Sequence, residues 1–406
     1  MTLDPTTMLI IEAFVLFLVG GLTFMAAFQG GRDRTLLWAA VGMWMACLGF
    51  FLGAFRGHDA WQTPVIIVSN MLFITSHACL WTSLNIFRGK PVQWLYLGVG
   101  AFVWLLLCQW PVFFANANWR TAGYSALSLV YIGACLMAVR PAWHKSNPAA
   151  LAIVLFLTLH GLFYLYRMVA SPLQSAVWRT WPDFALVIFE GLFFAVSMSY
   201  GILMMVRAQA EQNYRYAALH DALTKLPNRR ALFERGASML EHARQDHADV
   251  AVLMCDLDWF KSVNDRFGHE AGDQVLVCFS QVLRECADKE HLPARLGGEE
   301  FTVLAMNLGP LSAQALATRI RMRLADQASR LPCRLTVSIG IACAQQIDYN
   351  LDRLLACADQ ALYAAKVSGR DCVRIWPVQV TQAALDASAA ISRDGAGAAP
   401  QHPVDA

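Results

Sequence analysis

Two glycines followed by two carboxylates, within Arg295-Leu296-Gly297-Gly298-Glu299-Glu300-Phe301, make a tight turn able to hold a metal ion against a nucleotide phosphate. Phe301, Val303 and Leu304 follow it as apolar positions, so the turn reads as the tip of a β-hairpin whose glycines permit positive φ. A second acidic group lies upstream. Asp249 to Asp256 is an almost continuous apolar run closed by an acid, the pattern of a buried central strand that delivers a carboxylate at its end. Asp256-Leu257-Asp258 then sets two acids two residues apart, expected to point apart so that only one binds a metal directly while the Leu257 carbonyl joins it. Magnesium takes such hard oxygens, a few from protein and the rest from water and phosphate.

The next residues suit a nucleotide. Lys261 is a mobile point charge for phosphate. A carboxylate such as Asp273 can accept from both N1–H and the 2-amino group of guanine, a donor pair that adenine lacks, and the Asn264 amide can complete that recognition. A glycine-rich loop of the Walker type is absent, so metal and side chains must hold the phosphates. Leu351 to Ser368 carries Leu354, Leu355, Ala358, Leu362 and Ala365 on one face, a helix stopped by Gly369, with Lys366 and Arg370 gathered at its end.

The elements that position these groups occupy only half of the chain. Of 406 residues 57% are hydrophobic and 15% charged, far from the balance of a soluble globular protein. Residues 1–205 hold 10 Lys and Arg and 6 Asp and Glu, against 22 and 24 in residues 206–406, so the first half reads as membrane and the second as soluble. Neither half is strongly basic, which argues against a nucleic acid partner. Seven of the eleven cysteines fall in the second half with no Cys-x-x-Cys pair, as reduced small apolar residues of a cytosolic compartment do.

Seven apolar stretches approach spanning length, about 20 residues: 8–28, 35–55, 62–87, 92–115, 121–139, 149–169 and 182–206. Arg32, Arg34, Arg88, Lys90, Arg140, Lys145, Arg207 and Arg215 share one side, and Arg56, Arg120 and Arg179 the other. The positive-inside rule then puts the N-terminus outside and the second half in the cytoplasm. Trp61, Trp94, Trp110, Trp119, Trp143, Trp178 and Trp181 sit near helix ends, as interfacial belts require. Glu12, His77, His160 and Glu190 lie inside the spans. The histidines admit two readings, haem ligation or proton sensing on one hand and hydrogen bonding to a neighbouring helix on the other. Beyond Val206, Arg207 to Leu219 reads as a helix continuing out of the last span, either a signalling helix that pairs with its twin or a solvated spacer.

Residues 217 to 376 resemble a GGDEF domain, the catalytic module of diguanylate cyclases, in its GGEEF form. Five separated signatures carry the resemblance: Asp221 to Arg230, Asp256 to Asp273, Arg295 to Phe301, Leu335 to Gly340 and Asp359 to Arg370. It implies a palm-like α+β domain, with a mostly antiparallel central sheet covered by helices, after an all-α polytopic membrane domain. It also implies that Asp256, the Leu257 carbonyl and Glu299 hold magnesium and that Glu299 helps to deprotonate the attacking 3′-hydroxyl of GTP. Glu300 is a secondary site residue, Asn264 and Asp273 read guanine, His269 lies at the nucleotide, and Lys261, Lys366 and Arg370 meet the phosphates. Asp258 supports or caps. The reaction implied joins two GTP into cyclic di-GMP with loss of two pyrophosphates, each domain of a homodimer holding one GTP.

The expected organisation is a membrane domain over 1–206, a helical linker over 207–220, the catalytic domain over 221–376 and a disordered tail over 377–406. Partners would be GTP, a second copy, membrane lipid, an unknown sensory ligand and downstream effectors of cyclic di-GMP, at a bacterial inner membrane. The alternatives are an inactive domain that binds GTP or product, and a transporter or receptor with a regulatory nucleotide module. One departure stands out. Where many family members carry an Arg-x-x-Asp product-binding motif, this chain has Asp288-Lys289-Glu290-His291, so feedback through that site is not expected.

Overall fold

The structure, a computed structural model, describes residues 4–29, 31–57, 61–143, 148–173, 181–328 and 335–377. Lys145, Trp178, Arg179 and the tail from 378 lie outside the described residues. The chain divides into two compact units, Met1–Gln212 and Asn213–Ala406.

The first unit is all helical: α1 (Pro5–Gln29), α2 (Arg34–Gly53), α3 (Gln62–Phe87), α4 (Trp94–Cys108), α5 (Pro111–Ala115), α6 (Ala117–Trp143), α7 (Pro148–Leu173) and α8 (Trp181–Leu219). Among the described residues six of these are long and apolar enough to cross a membrane, as in a multi-pass membrane protein. The stretch 92–115 differs from the sequence reading. Pro111 has no N–H to extend a helix and pushes Trp110 into an extended conformation (φ −87°, ψ 109°), so α4 stops after 15 residues. That is about 22 Å of helix, short of the ~30 Å hydrocarbon layer.

The ionisable residues of this unit meet one another. His77 Nδ1 lies 2.8 Å from the Phe73 carbonyl, His77 Nε2 lies 3.1 Å from His160 Nε2, and His160 Nδ1 lies 2.6 Å from Glu190 Oε1. The carbonyl can only accept, so His77 Nδ1 carries the proton and its Nε2 accepts from His160 Nε2. One further proton, shared between His160 Nδ1 and Glu190, closes the chain. All four ring nitrogens are thus engaged, in keeping with the hydrogen-bonding reading of these histidines. His160→Ala removes the middle of this chain and takes away the contacts of His77 Nε2 and Glu190 Oε1 with it, leaving His77 only its bond to the Phe73 carbonyl. The expected loss is about 3 kcal/mol, read as a fall in Tm on the order of 5–10 °C for the purified full-length protein.

The second unit is α+β. Its helices are α9 (Arg229–Gln245), α10 (Phe260–Phe267), α11 (His269–Cys286), α12 (Pro310–Ala328) and α13 (Leu351–Val367), and its strands are β1 (Val250–Leu257), β2 (Leu292–Gly297), β3 (Glu300–Met306), β4 (Val337–Cys343) and β5 (Val373–Ile375). The sheet order is β2-β3-β1-β4-β5, antiparallel except for the parallel pair β4–β5. Strand β1 is central and buried throughout, and its alternation serves two cores. Ala251, Leu253, Cys255 and Leu257 pack with Phe279, Phe301 and Ile339 on one face, while Val250, Val252 and Met254 pack with Leu304, Leu354 and Leu362 on the other. By the same alternation Asp256, the last acid of the strand, belongs to the face covered by α13.

Candidate active site

Register places the acids. Asp256 on β1 stands opposite Glu300 on β3 and Ser338 on β4, and the Leu257 amide reaches the Glu299 carbonyl at 3.4 Å, so the hairpin tip sits against the end of the central strand. Asp256 is 5% exposed. Lys366, in the last turn of α13, places Nζ 2.8 Å from Asp256 Oδ2. Burial pushes the Asp256 carboxyl above the usual carboxylate range, Lys366 opposes that shift, and Asp258 adds to it. Burial also raises Glu299, next the charge of Asp256, with Lys366 again opposing. The two acids crowd one another, and a cation stands against them.

On a continuing strand residues two apart would share a face, so Asp258 parts from Asp256 only because β1 ends at Leu257. Its carboxylate accepts from Thr336 Oγ1 (2.8 Å), Ser338 Oγ (2.7 Å) and the Asp371 amide (3.0 Å), so it ties β4 to the segment after α13. That segment turns through Gly369, Arg370 and Asp371, all at positive φ (106°, 64° and 42°). The Arg370 guanidinium carbon lies 3.9 Å from the centroid of the Trp259 ring, itself on a left-handed residue (φ 59°). Trp259 is an exposed platform that the sequence reading did not single out.

Asn264 on α10 is half-buried, and its Oδ1 occupies the place where a side chain at Gly272 would begin, so the glycine lets α10 and α11 approach there. His269 and Asp273, one turn apart on α11, and Lys261 on α10 are exposed. Among the described residues these three make no hydrogen bond or ion pair with the acids, and Glu300 is likewise exposed. The structure thus gathers Asp256, Leu257, Glu299, Lys366 and Arg370 at one end of the sheet, and leaves Lys261, His269 and Asp273 on the α10–α11 pair.

Arg295 is the positioning residue absent from the candidates drawn from sequence. Its Nε and Nη2 donate to the Gly298 carbonyl (3.0 and 2.7 Å), and its Nη1 donates to Asp221 Oδ1 at 2.8 Å. The same Asp221 oxygen accepts from the Thr224 amide and hydroxyl (2.8 and 2.7 Å), and the Arg295 amide donates to Pro227 (2.9 Å). Burial raises the Asp221 carboxyl, yet the Thr224 and Arg295 donors outweigh it and hold the group below its ordinary value. Gly298, at φ 51°, is thereby fixed between strand and staple. Arg295→Ala is expected to loosen the hairpin tip and lower nucleotide turnover about 10-fold or more, with Arg295→Lys intermediate because an ammonium cannot make the forked contact. Initial rates of the two variants test this.

The donors at the site suit a hard divalent cation. Among the described residues no three His, Cys, Asp or Glu side chains cluster to cage an ion. Two carboxylates and a main-chain carbonyl fit magnesium, which keeps water and phosphate as its other ligands.

Comparison with known proteins bears on the family of the second unit. Residues 218–372 match the family described as "Diguanylate cyclase, GGDEF domain". The bifunctional diguanylate cyclase/cyclic di-GMP phosphodiesterase MucR of Pseudomonas aeruginosa is 38% identical over 172 residues, which is 42% of this chain and 25% of MucR. The cyclic di-GMP phosphodiesterase PdeR of Escherichia coli is 35% identical over 181 residues, 43% of this chain and 26% of PdeR. The chain therefore spans about a quarter of the length of these curated relatives. A solved GGDEF domain of YfiN (TpbB) from Pseudomonas aeruginosa is 37% identical, with 38% of this chain and 93% of that one covered and a TM-score of 0.35.

Proposed function

Residues 218–372 are a GGDEF domain, and from that premise we propose that the protein is a membrane-anchored diguanylate cyclase that condenses two GTP into cyclic di-GMP. The observation that carries the reading is the joint placement of Asp256 and Glu299 at the end of β1, with Lys366 2.8 Å from Asp256. Asp256, the Leu257 carbonyl and Glu299 would hold magnesium, which when bound neutralises charge developing on the α-phosphate. Glu299, raised by burial and by Asp256, takes the proton of the attacking 3′-hydroxyl. Lys366, Arg370 and Lys261 draw off phosphate charge as pyrophosphate leaves. Asn264 and Asp273 read the guanine edge, with His269 beside the nucleotide and Glu300 flanking the tip.

Each domain offers one set of these groups, so two copies meet face to face, and the helical unit governs how they meet in response to a sensed ligand. The apolar helices anchor the protein in a bacterial inner membrane with the catalytic unit on the cytoplasmic side, the orientation favoured by the distribution of Arg and Lys. Product feedback through the loop before β2 is no part of the proposal. There His291 is turned inward to accept from the Met306 amide at 3.3 Å, and Glu290 accepts from Asn307 at 2.9 Å, so acids and a spent imidazole stand where a phosphate-binding arginine would be needed.

Turnover of GTP with magnesium by the full-length protein in nanodiscs tests the proposal, with cyclic di-GMP as the expected product. Saturable GTP binding by a dimer that forms no product would instead support a nucleotide-binding signalling module.

A further inference from the structure

The helical unit holds a partly open cavity of about 440 Å³, within the size range of sites for small organic ligands. Helices α1, α2, α3, α6, α7 and α8 all line it, among them Phe50 on α2, Asn70 on α3, Tyr124 on α6, Arg167 on α7 and Glu190 on α8. Much of the wall is apolar, with Phe73, Phe194 and Met198 among its members.

Helix α7 adds a polar stripe. His160, Tyr164 and Arg167 are four and three residues apart and therefore share a face. Two of the three are satisfied within the protein, His160 by His77 and Glu190, and Tyr164 by the Tyr124 hydroxyl at 3.1 Å. Arg167 is not. Its guanidinium carbon lies 6.0, 5.8 and 5.7 Å from the ring centroids of Tyr124, Phe163 and Tyr164, and it has no hydrogen bond or ion pair among the described residues. Ring faces attract its charge but satisfy none of its five N–H donors. Arg120, the other arginine of the wall, donates to the Phe114 carbonyl and lies 5.2 Å from that ring. Arg167 is thus a planar fork held on three aromatic rings, facing a largely apolar chamber, without an acceptor among the described residues.

We propose that this cavity binds a small amphipathic anion, a carboxylate on an apolar body, with the carboxylate gripped by the Arg167 fork and the body lying among Phe73, Phe194 and Met198. Paired oxygens match the guanidinium as a single hydroxyl or amide oxygen does not. The phosphate of a membrane lipid presents the same oxygens, and the test separates the two sources. Binding is read directly, so the proposal stands or falls apart from the cyclase reading.

The probe is 4-phenylbutyrate, with its uncharged amide for comparison, titrated calorimetrically into the full-length protein in dodecyl maltoside, a phosphate-free detergent. The carboxylate is expected to bind saturably and at least about 10-fold more tightly than the amide, one bidentate charged contact being worth about that much or more. Arg167→Gln should abolish the preference, Arg167→Lys should keep part of it, and Ala46→Phe, which fills space at the cavity wall, should weaken both probes. Equal affinity for acid and amide in the parent protein, or no saturable binding at all, would overturn the proposal without reference to any variant. Loss of phenylbutyrate binding once phosphatidylglycerol is added to the micelles would assign the fork to lipid phosphate and overturn the small-carboxylate reading.

Discussion

Glu299→Gln is expected to lower cyclic di-GMP formation about 10³-fold or more, while GTP affinity changes only a few-fold. The substitution keeps the shape of the tip, which Arg295 holds through the Gly298 carbonyl at 2.7 and 3.0 Å. It removes one of the two carboxylates of the proposed metal site and the group that would take the 3′-hydroxyl proton. Stability should move the other way. Both Asp256 and Glu299 are raised by burial, with mutual repulsion adding to Glu299. A carboxyl raised on folding holds its proton more tightly in the native state than in the unfolded chain, so stability falls as pH climbs from the ordinary carboxylate range through the raised value. At pH 7.5 without metal the parent therefore carries repulsion that Lys366 only partly offsets, and the variant should unfold no earlier than the parent. Magnesium should raise the Tm of the parent and raise that of the variant much less. Thermal unfolding at pH 5 and pH 7.5, with magnesium and with EDTA, reads these signs, and full turnover by the variant would remove Glu299 from the chemistry.

What was legible in the sequence divides by range. The β1 run ending in Asp256 stood out because a strand buried on both faces must be apolar along its length, and any acid at its end is conspicuous. The hairpin tip stood out because two glycines mark a turn, and α13 because its apolar face is periodic and its cations gather at one end. The mostly antiparallel sheet with flanking helices follows the resemblance. The Arg295–Asp221 staple was not legible, since its partners lie 74 residues apart and each alone is an ordinary charged residue. Trp259 hid for another reason: a left-handed non-glycine residue leaves no local signature. His77 and His160 were one histidine per helix in the sequence, and only packing shows that they face each other and Glu190. The break at Trp110–Pro111 was printed in the sequence, but the apolar content of 92–115 masked it.

Gly340→Ala should lower the unfolding temperature of the second unit by on the order of 10 °C without touching a single charged group. Gly340 lies in the middle of β4, paired with Met254 on β1 and Arg374 on β5, directly beneath α13. A methyl group there would collide with the main chain of α13 at Ala358, Ala361 and Leu362. Main-chain atoms cannot rotate aside as a side chain can, so either the helix lifts from the sheet or the strand bends. Overpacking in a core costs about 1–3 kcal/mol, and collision with a backbone on one side and a paired strand on the other puts this case at or above the upper figure. Lifting α13 also draws Lys366 from its 2.8 Å contact with Asp256, so the residual folded protein should lose turnover as well. Gly236→Ala is the matched control. Its added methyl would meet only the Cδ2 atoms of Leu351 and Leu304, at 3.2 and 3.4 Å, and a helical alanine gains about 1 kcal/mol over glycine. Its unfolding temperature should stay within a few degrees of the parent, whereas that of Gly340→Ala should fall on the order of 10 °C. Equal stability of the two variants would show that β4 and α13 do not close tightly at Gly340, and that the placement of Lys366 does not depend on that seam.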